Sequence, residues 1–208
     1  MNNTGSQYLD KHFNYGNHVT CFYGKPSTGK TNFCLISTIA LAKNKKVFFI
    51  DSENSFSIQR ICQLTDKTIF PNIIQFKVRS IFEQSRLINQ LHKMIKNCSL
   101  IVVDSFTHYY RSHVKRDSKF ANLMLNKQLK TLNSLAKENN IPVLITSQVY
   151  DDLNNNIHPV AKNILNKHCK CMIKLENEQK RKLIIEKHPK NFLKTLNFTI
   201  NEQGITEE

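Results

Sequence analysis

Residues 24–31 have the glycine, lysine and threonine spacing of a loop that holds a phosphate chain. Gly24 and Gly29 are two of only five glycines in the chain, and Lys30 and Thr31 follow directly. Glycines let the backbone turn tightly, so that its N–H groups face phosphate oxygens. The lysine can reach the β- and γ-phosphates, and the threonine hydroxyl can ligate Mg²⁺. The spacing predicts a site for ATP or GTP, with these nucleotide-binding residues: Gly24, Lys25, Pro26, Ser27, Thr28, Gly29, Lys30, Thr31 and Asn32.

Acidic residues stand at the ends of two apolar runs further along the chain. Asp104 follows LIVV and is, with Thr31, the predicted Mg²⁺ ligand, although an aspartate that caps a turn fits the same pattern. Asp51 ends VFFID, and Glu53 comes two residues later. One carboxylate near the γ-phosphate must activate the attacking water. We assign that base to Glu53 and a structural role to Asp51, a choice that the pattern alone leaves about even.

An amide completes the set of residues that could act on a nucleotide. Gln148 ends the apolar run IPVLITSQ, where a side chain at the crevice could sense the γ-phosphate. A plain turn residue fits the spacing equally well. The predicted catalytic residues are therefore Glu53, Lys30 and Gln148.

Apolar strands that alternate with helices must position these side chains. Runs with strand character cover residues 18–23, 45–51, 73–78, 99–105 and 141–148, and helical patterns cover 30–42, 57–64, 80–97 and 119–137. Continuous apolar strands separated by helices predict a mainly parallel sheet with helices on both faces. After Gln148 a polar, turn-rich stretch leads to two or three strands, 169–175, 181–186 and 196–200, which we expect to pair antiparallel.

The bulk composition is that of one α/β domain spanning residues 1–208. No apolar run approaches the ~20 residues of a membrane span, and the first residues lack the apolar core of a signal peptide, so we expect a cytoplasmic protein without a membrane partner.

The six cysteines have no framework spacing and are expected to be reduced and buried. HCKC at 168–171 is compatible with a metal site, but the alternation favours a strand with Cys169, Cys171, Ile173 and Leu175 on one face.

The formal net charge of +14 is unevenly distributed. Residues 111–130 carry six Lys or Arg against one acid, and residues 162–190 carry nine against three. A compositional bias towards lysine would spread the charge evenly. The clustering favours nucleic acid over a membrane surface as the partner.

Four motifs in this order and spacing, GKPSTGKTN, FFIDSENSF, LIVVDSFTHYYR and ITSQVY, resemble the RecA-type recombinase core. In particular, the chain is similar from about residue 8 to 205 to the archaeal RadB family of short RecA-like paralogues. The resemblance implies a RecA-like P-loop NTPase core with antiparallel C-terminal strands, and ATP and Mg²⁺ as cofactors. It implies Lys30 and Thr31 as the nucleotide pair, Glu53 as the water-activating acid, Asp104 as the Mg²⁺ carboxylate and Gln148 as the link to a DNA-binding loop.

The resemblance also implies two DNA-binding loops, after SFTHYYR and after SQVY. The first coincides with the basic segment that holds Arg111, Lys115, Arg116 and Lys119, and the second with residues 150–167. The implied partners are DNA, preferably single-stranded, and a main recombinase or repair nuclease. Lys187 stands where related ATPases present a basic residue to a neighbouring subunit's nucleotide, but a solvated lysine on an edge strand explains it as well.

Two departures from the family pattern limit what is expected of the protein. RecA-like proteins usually carry a Gly-Gly pair after the proline that Pro159 resembles, whereas here residues 160–163 read VAKN. Without glycine, fewer conformations are open to the second loop. We also expect no N-terminal helical DNA-binding domain and no subunit-linking phenylalanine, so strand exchange by this protein alone is not expected.

Three functions remain at this point. The first is a recombination accessory that binds ATP and DNA and hydrolyses ATP slowly. The second is a nucleotide switch that acts mainly through a protein partner. The third is a phosphotransferase, which the six dispersed arginines argue against because kinases of this size add an arginine-rich lid.

Overall fold

The computed structural model describes residues 3–190 and 193–208. In these ranges the chain forms seven α-helices, two 3₁₀ turns and eleven strands. The helices are α1 (Gln7–Asp10), α2 (Lys30–Leu41), α3 (Ile58–Leu64), α4 (Ile81–Gln90), α5 (His108–His113), α6 (Ser118–Asn139) and α7 (Lys162–His168). The strands are β1 (Val19–Tyr23), β2 (Lys46–Asp51), β3 (Ile73–Lys77), β4 (Cys98–Asp104), β5 (Val143–Ser147), β6 (Val149–Asp151), β7 (Ile157–Pro159), β8 (Cys171–Asn177), β9 (Arg181–Lys187), β10 (Lys194–Asn201) and β11 (Gly204–Glu207). The 3₁₀ turns are Lys67–Asn72 and Leu91–Lys93.

Nine of these strands form one sheet in the order β11-β10-β9-β8-β1-β5-β4-β2-β3. The six from β8 to β3 pair parallel, and β9, β10 and β11 extend the sheet antiparallel. The predicted α/β fold with an antiparallel C-terminal edge is confirmed. The central parallel strands β1, β4 and β5 are almost completely buried, because helices cover both of their faces.

Two hydrophobic cores lie on opposite faces of the sheet. One packs α4, α6 and α7 through Ile88, Leu129 and Leu165, and the other packs α1, α2 and α3. In the second core Phe33 of α2 contacts Phe22 of β1 and Phe198 of β10, with ring centroids 5.1 and 5.2 Å apart. Burial of such a side chain contributes about 1.5–3 kcal/mol. Phe33 thereby holds the first turn of α2 against the sheet.

The structure corrects several secondary-structure predictions. The helix predicted over 80–97 ends at Gln90, and a 3₁₀ turn follows, because the chain must reverse through Asn97 at φ 62° before β4 begins. The stretch after Gln148 that reads as turn-rich contains the hairpin β6–β7 and the helix α7. Both are too short to produce a clear hydrophobic period.

The cysteine predictions were partly wrong. Cys171 and Ile173 do share a face, but Cys169 precedes β8 and packs in the opposite core. Cys62 is exposed, whereas the other five are buried free thiols. Within the described ranges no group of three or more His, Cys, Asp or Glu side chains could hold a metal ion, HCKC included.

The same ranges contain no helix with the length and apolar character needed to cross a membrane.

Candidate nucleotide site

The glycine-rich loop joins the end of β1 to the start of α2 at the carboxyl edge of the parallel strands. A Cβ at Gly24 would lie 2.3 Å from the carbonyl oxygen of Leu175, so no larger residue fits there. Gly29 is the N-cap of α2 and has a φ of 105°, a conformation that favours glycine. The first N–H groups of α2 have no partner within the helix. The loop therefore presents backbone donors and a helix N-terminus, which is the arrangement that binds phosphate.

Lys30 lies across this loop. Its Nζ donates hydrogen bonds to the carbonyl oxygens of Gly24 and Lys25, at 2.8 and 2.9 Å. Burial lowers the pKa of Lys30, and the carboxylates of Asp104 and Glu53 act in the opposite direction. The ammonium group is therefore held at the phosphate cradle, near two acids that could carry catalysis.

Asp104 is the buried acid of the site. Its Oδ2 accepts hydrogen bonds from Thr31 Oγ1 at 2.7 Å and from Ser55 Oγ at 2.9 Å, and its Oδ1 accepts one from Thr146. Burial raises the pKa of Asp104, while these three hydroxyl donors lower it. A hydroxyl and a carboxylate in contact at the end of the loop fit the oxygen ligands that Mg²⁺ prefers.

Asp51 lies beside Asp104 in the register of β2 and β4 but has a different role. It accepts hydrogen bonds from the N–H groups of Ser55 and Phe56 and from Gln75 Nε2, at 3.0, 3.3 and 3.0 Å. These bonds shape the turn that follows β2 and carries Glu53. The contacts agree with the structural role assigned to Asp51.

Glu53 is exposed at the mouth of the site. Gln148 Nε2 donates to Glu53 Oε1 at 2.6 Å, and His108 Nδ1 lies 3.0 Å from the same oxygen. Both contacts therefore hold one carboxylate oxygen. This leaves the other oxygen as the atom that can face a water molecule.

Gln148 links this network to the hairpin β6–β7. Its Oε1 lies 3.4 Å from Arg111 Nη1, its N–H donates to Thr107 Oγ1, and its carbonyl accepts from Val160 N–H at 2.9 Å. Val149, the next residue, begins β6 and pairs with Pro159 of β7. Gln148 is therefore connected to both ends of the hairpin, through the peptide bond to Val149 and the hydrogen bond from Val160.

A cavity of about 500 Å³ joins these parts. It is lined by most of the predicted residues, namely Gly24, Pro26, Ser27, Gly29, Lys30, Thr31, Asn32, Glu53, Asp104 and Gln148. Lys25 and Thr28 of the predicted set do not line it: Lys25 is exposed, and buried Thr28 donates its hydroxyl to the Lys25 carbonyl at 2.9 Å. The tertiary structure brings residues from four distant segments of the chain to one cleft.

Several residues of the site were missed at the sequence level. Arg181 and Ile200 line the cavity, and Arg181 Nη1 donates to the Ser27 carbonyl at 2.9 Å. His108, which contacts Glu53, was missed as well. No local pattern marks these residues, because each contacts a part of the site that is more than fifty residues away in the sequence.

The structure separates the four predicted DNA-binding residues. Arg111 lies in α5 and lines the nucleotide cavity. Lys115 and Arg116 lie in the short turn between α5 and α6, Lys119 is in the first turn of α6, and all three are exposed. The predicted first loop is thus largely helical, and its DNA contacts stay a prediction.

The second predicted loop is also structured. Ala161 is the N-cap of α7 and has a φ of 61°, the conformation that a glycine would adopt without strain. Lys187 donates from Nζ to the carbonyl of Cys169 at 2.8 Å and to that of Asn166. Within the chain it therefore caps the end of α7 and is not a solvated lysine.

A loop of this kind between β1 and α2, with an acid at the end of β4 and a parallel sheet extended by antiparallel strands, defines a RecA-like P-loop ATPase fold. A sequence profile of the family described as Rad51 matches residues 1–208. The chain belongs to this family and, within it, to the archaeal RadB group.

Individual relatives agree with this placement. The DNA repair and recombination protein RadB of Methanocaldococcus jannaschii is 38% identical over 196 residues, which cover 90% of this chain and 92% of the relative. The protein of the same name from Thermococcus kodakarensis is 32% identical over 224 residues, which cover 100% of this chain and 99% of the relative. A crystal structure described as that of the RadB recombinase superposes with a TM-score of 0.85 at 30% identity and covers 100% of both chains.

Proposed function

We propose that the protein is a slow, Mg²⁺-dependent ATPase that acts with DNA as an accessory of homologous recombination and repair, without strand exchange of its own. The two relatives, which match 90% and 100% of this chain, are described as DNA repair and recombination proteins. The observation that carries the proposal is the convergence of Lys30, Thr31, Asp104, Glu53 and Gln148 on one cavity.

The residues divide the work of ATP hydrolysis between them. Lys30 donates to neutral carbonyls in the loop, and a phosphate chain would offer it stronger, charged acceptors. Thr31 and Asp104 would hold Mg²⁺, which when bound neutralises phosphate charge. The water oxygen bonds to the γ-phosphorus as the bond to the ADP oxygen breaks, and Glu53 takes the proton that the water loses.

The proposal is tested by comparing Glu53→Gln with Lys30→Ala. Glu53→Gln keeps the shape of the side chain but cannot accept a proton, so turnover should fall about 100-fold while ATP affinity is kept. Lys30→Ala should weaken ATP binding itself, because charged hydrogen bonds to phosphate are lost. ATP affinity and phosphate release measure the two effects. Normal hydrolysis by Glu53→Gln would refute the assignment of the base.

DNA binding is tested separately with a salt series. Phosphate contacts release counterions, so affinity should fall steeply as salt concentration rises. Lys115→Ala combined with Arg116→Ala and Lys119→Ala should reduce that slope, whereas Arg111→Ala is set aside because Arg111 lines the nucleotide cavity. Binding that is independent of salt, or unaffected by the triple change, would contradict a DNA role.

One observation favours a second function, a nucleotide switch read by a protein partner such as a main recombinase or a repair nuclease. Gln148 contacts Glu53 in the cavity and is continuous with the hairpin β6–β7. A partner that binds this hairpin would sense the nucleotide state without DNA. Nucleotide-dependent binding to the recombinase by a variant that no longer binds DNA would support this alternative.

A further inference from the structure

An exposed aromatic side chain on α4 lies outside the nucleotide site and both predicted DNA loops. Phe82 is 54% exposed. Its ring centroid lies 5.7 Å from that of Phe120 in α6 and 6.0 Å from that of His113 in α5. Leu123, one helical turn after Phe120, is 67% exposed. We call the ring contacts of Phe82 with Phe120 and His113, together with Leu123 one turn along the same face of α6, the aromatic patch.

The core does not require Phe82 at this position. The buried face of α4 consists of Ile81, Gln84, Ser85 and Ile88. Gln84 attaches α4 to α6 through a buried hydrogen bond from its Nε2 to Gln128 Oε1 at 2.8 Å. Phe82 points away from that face, so its exposure is not a by-product of packing. Exposed contiguous apolar surface of this kind commonly marks a binding site.

Positive charge surrounds the aromatic patch. Arg86 lies one turn after Phe82 on α4, and Lys127 lies one turn after Leu123 on α6, so each shares a face with the patch. Outside the nucleotide cavity, which Arg111 lines, the exposed cations nearest in sequence to the patch are Arg79, Arg86, Lys115, Arg116, Lys119 and Lys127. None of these six forms an ion pair with another residue in the described ranges.

The two acids near the patch are already engaged by the backbone. Glu83 Oε2 accepts the N–H of Arg79 at 2.8 Å, and Asp117 Oδ1 accepts the N–H of Phe120 at 2.9 Å. Each therefore stabilises the start of a helix and offers less attraction to a passing cation. The patch is left with an excess of uncompensated positive charge, which complements a polyanion.

We propose that this surface binds single-stranded DNA, with one base stacked on Phe82 and the flanking phosphates held by the surrounding lysines and arginines. Unpaired bases stack on exposed aromatic rings without regard to sequence, whereas the bases of a duplex are already stacked on one another. The combination of ring and cations therefore selects a single strand. The inference rests on the DNA-binding part of the proposed function and adds a contact on α4 to it.

The chain offers a direct test because it contains no tryptophan. Phe82→Trp places the only indole of the chain in the patch, where its fluorescence can be excited apart from that of the six tyrosines, and stacking with a base quenches it. Oligothymidine should quench the fluorescence of Phe82→Trp in a saturable manner. The matched control is Ile58→Trp, because Ile58 is 59% exposed on α3, which packs against the opposite face of the sheet. Equal quenching in both variants, or none in either while DNA is bound, would overturn the proposal.

Affinity gives a second, independent readout. Stacking on one aromatic side chain is worth about 1–3 kcal/mol, so Phe82→Ala should weaken oligothymidine binding about fivefold or more. Phe82→Tyr should retain affinity, and duplex binding should be unchanged in both variants. Ile58→Ala serves as the control for loss of an exposed apolar side chain. The same measurement with oligouridine tests whether the strand must be DNA. Tighter binding of oligouridine than of oligothymidine would contradict the proposal.

The outcomes separate this inference from the proposed function. Salt-dependent DNA binding that is indifferent to Phe82 would overturn the inference and leave the ATPase and DNA roles intact. Absence of any DNA binding at low salt would overturn both the inference and the DNA role, while phosphate release would still report the ATPase. Loss of recombinase binding in Phe82→Ala, with DNA affinity unchanged, would reassign the patch to a protein partner.

Discussion

Gln148 Nε2 donates a hydrogen bond to Glu53 Oε1 at 2.6 Å, so the predicted γ-phosphate sensor holds the predicted catalytic base directly. His108 Nδ1 contacts the same oxygen at 3.0 Å. The two contacts orient the Glu53 carboxylate and come from separate segments of the chain, since Gln148 follows β5 and His108 begins α5. Movement of Gln148 towards a nucleotide would therefore release Glu53 as well as shift the hairpin β6–β7.

The first prediction concerns His108 as a positioning residue for Glu53. His108→Ala removes one of the two contacts, and since a hydrogen bond to a charged group is worth about 1.5–3 kcal/mol, kcat should fall roughly tenfold at this exposed position. KM for ATP should change little, because His108 does not line the cavity. His92→Ala, another exposed histidine, is the control. A rise in KM without a loss of kcat would argue for a role in binding instead.

Gln148 and His108 should not act additively. Both contact Glu53 Oε1, so the double variant should lose less activity than the product of the two single losses. Steady-state kinetics on Gln148→Ala, His108→Ala and the pair measure the coupling. Strict additivity would show that Gln148 and His108 act independently of each other and would contradict a shared action through Glu53.

Asp104→Asn should have opposite effects on stability and on Mg²⁺ binding. Burial raises the pKa of Asp104, so the charged form is disfavoured in the fold and costs stability as pH rises through the folded pKa. Asparagine removes that cost, and the melting temperature without nucleotide should rise. Mg²⁺-ATP should stabilise the wild type but not the variant, since the carboxylate ligand is lost. Thermal unfolding with and without Mg²⁺-ATP checks both signs, and equal stabilisation would exclude Asp104 as the ligand.

Ala161→Gly should stabilise the protein. Ala161 has a φ of 61°, which costs an L-residue about 1–2 kcal/mol, and part of the gain is offset by the greater entropy of glycine when unfolded. A net gain of about 0.5–1 kcal/mol in the free energy of unfolding is expected. Lys162→Gly, one position later inside α7, is the matched control and should destabilise. Loss of stability in Ala161→Gly would contradict the strained conformation.

Stability should fall as pH is lowered from about 6.5 to about 4 because of His18. Burial, together with the nearby charges of His188 and Lys170, lowers the pKa of His18 to about 4. The unfolded chain binds a proton at His18 near its ordinary pKa of about 6.5, whereas the folded chain does not until about 4. The stabilisation is therefore complete above pH 6.5 and lost towards pH 4. Thermal unfolding at pH 7 and pH 5 should show a smaller decrease for His18→Asn than for wild type, with exposed His92→Asn as the control.

The sheet and the phosphate cradle were predictable because their signals are local. Strands such as β4 contain an uninterrupted apolar run, here residues 100–103, and the glycine-rich loop depends on the short spacing of Gly24, Gly29 and Lys30. The hairpin β6–β7 and α7 were not predictable, because Ala161 adopts a glycine-like φ and the elements are only three and seven residues long. Tertiary contacts stabilise them: Leu165 of α7 is buried in the core with α6, and the Val160 N–H donates to the Gln148 carbonyl.

The amino-acid sequence by itself determined the kind of site, since residue type and spacing specify which groups can bind phosphate and Mg²⁺. Only the tertiary structure decided the partners of those groups. It brought His108 to Glu53, Arg111 into the nucleotide cavity and Phe82 against Phe120. These contacts join segments that are far apart in the chain, so they depend on strand order and helix packing, which no local pattern of residues encodes.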